Sequence, residues 1–307
     1  AALQSKSLLD ARRALEWGEG NDLLLSILKK AASEADPDSV WLTEAGRLLY
    51  ETNDRKMFRE AERFLVEATT LDTARAYEAL YYLHLIHDKG RDAHSSKYLN
   101  GIRIRAKAIG DNDNVFVLIS RCDEAIEIED YEKAFDLADR AVKNGRNISD
   151  TWYHRGKVHA KTGNLEGAIE DYSHALDLNP YYGVAWIARG LARKNNDDLT
   201  GAIEDYTRAI KINPRVFQAW GNRGRARAQK GDFDGAIEDY TRAIGIDPKN
   251  TVVWNLRGFA RAKKGDFDGA IDDCTRAIEI DPKSVNAWVN RGSSLRQKGD
   301  LEEAIKD

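Results

Sequence analysis

Tryptophan recurs every 34 residues in the second half of this chain, at Trp152, Trp186, Trp220, Trp254 and Trp288. Proline keeps the same step with a lag of 28, at Pro180, Pro214, Pro248 and Pro282. A fixed period of this length is the signature of a repeat array. One small unit, unable to bury its apolar face alone, is stacked on copies of itself. Any function visible in such a chain lies on the extended surface that the stack creates.

Aligning the chain with itself lays out the unit. Repeats start at Ser149, Gly183, Phe217, Thr251 and Val285. Four residues after each Trp comes a glycine: Gly156, Gly190, Gly224, Gly258 and Gly292. Ala168, Ala202, Ala236, Ala270 and Ala304 follow, then Tyr172, Tyr206, Tyr240 and Cys274, then Ala175, Ala209, Ala243 and Ala277. Steps of four and three place these residues on one face of a helix. Trp and Gly share a face of a first helix; Ala, Tyr and Ala share a face of a second. Small residues at the crossing let two backbones approach.

The punctuation fits two helices per unit. Gly163, Gly231, Gly265 and Gly299 stand where the first helix ends and suit a left-handed cap. Asn164, Asp198, Asp232, Asp266 and Asp300 follow as N-caps of the second helix. Each Pro then stops that helix. This order of Trp, Gly, Ala, Tyr, Ala and Pro resembles the tetratricopeptide repeat over residues 149–307. There is one systematic departure: the residue before each repeat glycine, usually apolar in the family, is arginine here. The resemblance implies an all-α fold, a right-handed superhelical α-solenoid of helix-turn-helix repeats.

The expected organisation has three parts. Residues 149–307 hold five repeats (149–182, 183–216, 217–250, 251–284 and a truncated 285–307). Residues 115–148 form a degenerate repeat that keeps Arg121, Ala134 and Ala141 in register, with Cys122 in place of the glycine. Residues 1–114 read as degenerate helical hairpins. One runs from Asp38 to Leu71 through Trp41, Leu48, Leu49, Phe64, Leu65 and Ala68; others break at Gly18-Glu19-Gly20-Asn21 and Lys89-Gly90-Arg91-Asp92. The only methionine is Met57, and the chain stops at Asp307 inside a second helix. It therefore reads as a piece of a longer protein, whose open last unit is a surface for self-association.

Charged residues make 32% of the chain, yet the net charge is only −4. That balance argues against nucleic acid, which calls for a basic excess. No apolar run approaches the roughly 20 residues of a membrane span, and no secretory signal stands at the start. Cys122 and Cys274 occupy core positions of repeats far apart in sequence, which suits a reducing compartment or simple core filling. The expected location is cytoplasmic.

The sequence holds no phosphate loop, no Cys-x-x-Cys pair and no His-Glu-x-x-His. His84, His87 and His94 are the nearest thing to a metal cluster, and they do not make a set of four ligands. No metal, cofactor or catalytic residue is expected, and the chain reads as non-enzymatic.

Two sets of arginines recur. Arg155, Arg189, Arg223, Arg257 and Arg291 are each matched sixteen residues later by Asp171, Asp205, Asp239, Asp273 or Asp307. The expectation is a ladder of bidentate ion pairs within hairpins; the alternative is an anion-binding stripe. Arg193, Arg227 and Arg261 lack such one-to-one partners. Glu170, Glu204, Glu238 and Asp272 are candidate carboxylates for them, and anion binding is correspondingly more open.

In the family the resemblance points to, first helices line a concave surface that binds extended or helical peptides. The positions exposed there give Tyr153, His154, Lys157, Ile187, Leu191, Gln218, Asn222, Arg225, Asn255, Phe259, Asn286 and Asn290 as groove candidates. Ile187, Leu191 and Phe259 are candidate apolar anchors; the asparagines suit a peptide backbone. Windows starting at Ser149, Gly183 and Phe217 do not supply the two-carboxylate clamp with which some members hold the acidic tails of chaperones. The expected function is a protein–protein interaction scaffold whose partner is another protein or a peptide segment. The other reading is a sensor or regulatory segment of a larger enzyme or signalling protein, its groove engaged by another part of the same chain.

Overall fold

The computed structural model describes residues 6–11, 21–34, 39–51, 55–70, 79, 82, 83 and 113–305. Among them there is no strand. The helices are α1 (Asn21–Glu34), α2 (Ser39–Glu51), α3 (Arg55–Thr70), α4 (Val115–Glu127), α5 (Tyr131–Asn144), α6 (Ser149–Lys161), α7 (Leu165–Leu178), α8 (Gly183–Asn195), α9 (Leu199–Ile212), α10 (Phe217–Gln229), α11 (Phe233–Ile246), α12 (Thr251–Lys263), α13 (Phe267–Ile280), α14 (Val285–Lys298) and α15 (Leu301–Ala304). The fold is an all-α solenoid of consecutive helical hairpins. The chain divides into two compact units, Ala1–Ala185 and Trp186–Asp307.

Within Trp186–Asp307 the cap residues act as their types dictate. The carboxylates of Asp198, Asp232 and Asp266 accept from the backbone N–H groups of Gly201, Gly235 and Gly269. Each such cap contributes about 1 kcal/mol. First helices end in a left-handed residue: Gly231 has φ +84° and Gly265 +86°. In the repeat without that glycine, Asp197 takes φ 60°, a conformation that aspartate tolerates better than most residues.

The tryptophan–proline spacing has a physical cause. The indole N–H of Trp220 donates to the carbonyl of Pro214 at 2.8 Å, that of Trp254 to Pro248 at 2.9 Å, and that of Trp288 to Pro282 at 3.0 Å. The ring packs between helices while its one polar atom is satisfied by the turn six residues earlier. Second-helix Ala202, Ala236 and Ala270 are fully buried beside Tyr206, Tyr240 and Cys274. A Cβ placed on Gly224 would lie 2.7 Å from the Tyr240 ring, so only glycine admits the ring at that crossing.

Two cores stand out among the described residues of Ala1–Ala185. One gathers Leu24 and Leu28 of α1, Trp41, Leu42, Leu48 and Leu49 of α2, and Phe64, Leu65 and Ala68 of α3. Trp41 meets Phe64 edge-on, with centroids 5.7 Å apart. The other joins α4 and α5 through Leu118, Ile119, Cys122, Ala134, Leu137 and Ala141, with Val158 of α6. In α6 and α7 the sequence alignment places Trp152, Gly156, Ala168 and Tyr172 as in the later repeats; the Trp152 indole donates to the carbonyl of Arg146 at 3.0 Å. The breaks expected at 18–20 and 89–92, His84, His87, His94 and Asp307 lie outside the described residues.

Candidate functional site

The recurring arginines are structural. Arg223 Nε and Nη2 donate to Asp239 at 2.9 and 2.7 Å, and Arg257 makes the same pair of bonds to Asp273. Arg189 does so with Asp205 at 3.0 and 2.8 Å, and Arg155 with Asp171 at 2.9 and 2.8 Å. The guanidinium also lies over the tryptophan three residues before it, 4.9 Å from Trp220 and 4.8 Å from Trp254, which suits a flat cation. The remaining Nη1 reaches back to the preceding repeat: Arg223 to Thr207 and Arg257 to Thr241, both at 3.0 Å. With every face of the cation used, these arginines are not an anion-binding stripe.

The second set corrects an expectation. Arg193, Arg227 and Arg261 do not turn to Glu204, Glu238 or Asp272. They share the aspartates of the first set: Arg193 Nη1 lies 3.0 Å from Asp205, Arg227 Nη1 3.1 Å from Asp239, and Arg261 Nη1 3.1 Å from Asp273. Their Nε atoms approach the N-cap carboxylates of Asp198, Asp232 and Asp266 at 3.7–3.8 Å. The repeats 183–216, 217–250 and 251–284 thus each close a four-charge set, two arginines against two aspartates, with the inner aspartate buried. In Ala1–Ala185 the place of the second arginine is taken by His159, whose Nε2 is 3.7 Å from Asp171.

Groove candidates in Ala1–Ala185 are engaged within that unit. His154 is 3% exposed, so it is not offered to a ligand as the sequence suggested. Its Nδ1 lies 2.9 Å from Asp123 Oδ1, on which Lys157 Nζ also converges at 2.7 Å. Burial alone would raise the Asp123 pKa; His154 and Lys157 outweigh it and hold the carboxyl far below the usual range. Burial likewise opposes the Lys157 charge, but Asp123 prevails and raises its pKa. Next to them, burial and then Asp123 push the Cys122 thiol up to about 12. Tyr153 packs its ring against Tyr172 and Tyr182, and burial raises its pKa. Sequence reasoning missed Asp123. The signal was present, because Asp123 stands one 34-residue period before Lys157.

In Trp186–Asp307 the candidates separate into spent and available residues. Ile187 packs against Ala202, Tyr206 and Ala226, which makes it core and not an open anchor. Asn255 Oδ1 accepts from Asn290 Nδ2 at 2.8 Å, so two of the expected backbone-gripping amides hold each other. Leu191 is 42% exposed and Phe259 41%. Gln218 and Asn286 are exposed, while Asn222 and Arg225 are half-buried. Lys263 Nζ sits 5.3 Å over the Phe259 ring. Among the described residues no group of three or more His, Cys, Asp or Glu is placed to hold a metal ion. No helix of the described residues is long and apolar enough to cross a membrane.

Comparison with known proteins agrees with this geometry. Family models described as tetratricopeptide repeat match residues 149–182, 187–251, 252–284 and 274–306, together half of the chain. A TPR repeat-containing protein of Methanocaldococcus jannaschii is 25% identical over 147 residues, covering 46% of this chain. The chain spans about a quarter of that relative's length. Among solved structures, MamA is 25% identical with a TM-score of 0.51, over 55% of this chain and 92% of its own. YrrB, described as a TPR protein with an unusual peptide-binding site, is 20% identical with a TM-score of 0.51, over 59% of this chain and 94% of its own. The Cut9–Hcn1 hetero-tetramer of the APC/C is 15% identical with a TM-score of 0.67, over 89% of this chain and 52% of that one. The repeat spacing, the helical hairpins and the matching family models lead to one assignment: this chain belongs to the tetratricopeptide-repeat family.

Proposed function

We propose that this chain is a non-enzymatic scaffold that holds a segment of a partner protein along the first-helix face of residues 186–307. The observation that carries the reading is a division of labour. His154, Lys157, Asn255 and Asn290, which look available in sequence, are used inside the repeats, whereas Leu191, Val252, Phe259 and Val289 on α8, α12 and α14 stay 42, 54, 41 and 62% exposed. Apolar side chains recurring on one row of helices are a docking surface in waiting. Membership of a family of interaction scaffolds supports the same reading. Residues of α6 contribute less, because Tyr153, His154 and Lys157 are committed to their own unit.

The test is selection of random dodecapeptides on the full chain, followed by affinity measurement against variants. Leu191→Ala with Phe259→Ala should weaken the selected peptides by about 1–3 kcal/mol, with an unchanged circular dichroism spectrum. Peptides that bind the double variant as tightly as the parent would refute the location.

A further inference from the structure

His159 fills the second arginine position in repeat 149–182, and another exchange accompanies it. Residues 159, 193, 227 and 261 share one register, as do residues 164, 198, 232 and 266. The three later repeats place Arg at the first position and Asp at the second, 3.7–3.8 Å apart. Repeat 149–182 places His159 and Asn164 there. A fixed charge pair is thus replaced by a hydrogen-bonded pair in which one member titrates.

The local geometry fixes which proton the ring carries. Asn164 is the N-cap of α7, and its Oδ1 accepts from the Gly167 N–H at 3.0 Å. With the oxygen used there, the amide nitrogen Nδ2 faces His159 Nδ1, at 3.1 Å. An amide nitrogen only donates, so Nδ1 accepts and the ring proton sits on Nε2. That nitrogen lies 3.7 Å from Asp171 Oδ2. The cap of α7 therefore selects the neutral Nε2–H tautomer. Both side chains lie directly on the first turn of α7. A Cβ built on Gly167 would stand 2.7 Å from Asn164 Nδ2 and 3.1 Å from His159 Cγ. Phe135 of α5 meets the ring edge-on, with centroids 5.2 Å apart.

We infer that repeat 149–182 carries a pH-sensitive helix cap, in which protonation of His159 at Nδ1 releases Asn164 from the start of α7. The protonated Nδ1 is a donor, and it faces another donor 3.1 Å away. To accept from it, Asn164 must turn Oδ1 toward the ring, which leaves the Gly167 N–H opposite an amide nitrogen. Asn164 keeps either the ring or the cap. The cationic ring also lies at the positive end of the α7 dipole. In the later repeats Asp198, Asp232 or Asp266 offsets a cation in that place; Asn164 has no charge to do so.

The charged groups around the ring are these. From α7 comes Asp171, whose two oxygens already accept from Nε and Nη2 of Arg155. Arg155 stands on α6 with His159. From α5 comes Asp139, which is spent on Arg155 Nη1 at 3.1 Å, and Phe135 is uncharged. Asp171 attracts the imidazolium, but it is beyond hydrogen-bond reach and has its own counter-ion. The sign follows: the cap is present while the ring is neutral and is lost as the pH falls through the range where histidine side chains gain charge, about pH 8 to 5.

The test uses the full chain with labelled histidine and glycine nitrogens, followed by NMR. At about pH 7.5 the ring shifts of His159, assigned with His159→Gln, should be those of the Nε2–H tautomer. Protection of the Gly167 amide from hydrogen exchange, referred to its intrinsic rate at each pH, should fall about fivefold by about pH 5.5, the scale of one N-cap. The Gly201, Gly235 and Gly269 amides are internal controls, because aspartates cap them and carboxylates as a class keep their charge over that range. Their protection should stay level. His159→Arg with Asn164→Asp, the pair that the later repeats use, should make Gly167 level too. An Nδ1–H tautomer at the higher pH, or a Gly167 amide that is unprotected there or as level as the controls, would overturn the inference. So would a fall at Gly167 that persists in His159→Gln, since another group would then be responsible.

Discussion

Removing Arg223 and removing Asp239 should not cost the same, although the two side chains share a bidentate pair. Asp239 is 2% exposed and Arg223 11%. Arg223→Leu deletes two charge-assisted bonds to Asp239, the bond to Thr207 and the contact with Trp220. Asp239 is not stranded, because Arg227 Nη1 remains 3.1 Å away. The cost should therefore fall below the roughly 3–5 kcal/mol of orphaning a buried charge, at about 2–3 kcal/mol. Asp239→Asn leaves two guanidinium groups facing a neutral amide, and only the outer one has Asp232 within reach, at 3.8 Å. That variant should lose the full 3–5 kcal/mol or so. Urea unfolding followed by fluorescence reports the change, analysed by nearest-neighbour coupling of repeats because an array need not unfold in two states. The double variant should show a coupling of about 1–3 kcal/mol. A coupling under about 0.5 kcal/mol, the range of independent sites, or a larger loss for Arg223→Leu than for Asp239→Asn, would refute the shared-aspartate reasoning.

Two further outcomes follow from the geometry. Because the folded-state pKa of Asp123 is depressed, its contribution to stability is present above the unfolded carboxylate value of about 4 and is lost as the pH falls toward the folded value. The stability gap between the parent and Asp123→Asn should be widest near neutral pH and shrink from about pH 4 downward; a gap constant between pH 6 and 2.5 would contradict the ion cluster. Gly224→Ala should destabilise by about 1–3 kcal/mol, since its Cβ would meet the Tyr240 ring at 2.7 Å. Gly245→Ala, on the same hairpin and with open space around the added Cβ, should stabilise by about 0.5–1 kcal/mol. Equal thermal shifts for the two would show that helix propensity, not packing, decides both.

The hairpin framework was legible because its residues are chosen by rules that repeat. Trp, Gly, Ala and Tyr define the crossing, and Asp after Gly defines the second start. The arginine ladder was legible for the same reason, since a donor and acceptor sixteen residues apart recur in register. The partners of Arg193, Arg227 and Arg261 were not. Glu204 and Asp205 are neighbours in sequence, but a helix turns by about 100° between them, and only the aspartate faces the first helix. The candidate site was read less well. Whether an exposed-looking position is free depends on the next repeat: His154 and Lys157 are tied to Asp123 on α4, and Ile187 is covered by Tyr206 and Ala226. Leu191, one turn along from Ile187, stays open.

The backward reach of Arg223 to Thr207, of Arg257 to Thr241 and of Arg291 to Thr275 bears on how such a chain can grow. The cassettes 217–250 and 251–284 each carry a guanidinium for the cassette before and a hydroxyl for the one after. A tandem copy inserted at a repeat boundary therefore arrives with both halves of its connector and leaves no stranded donor at either junction. Length can change by whole cassettes without redesigning the joints, so the number of repeats and the side chains exposed on their first helices are free to vary separately.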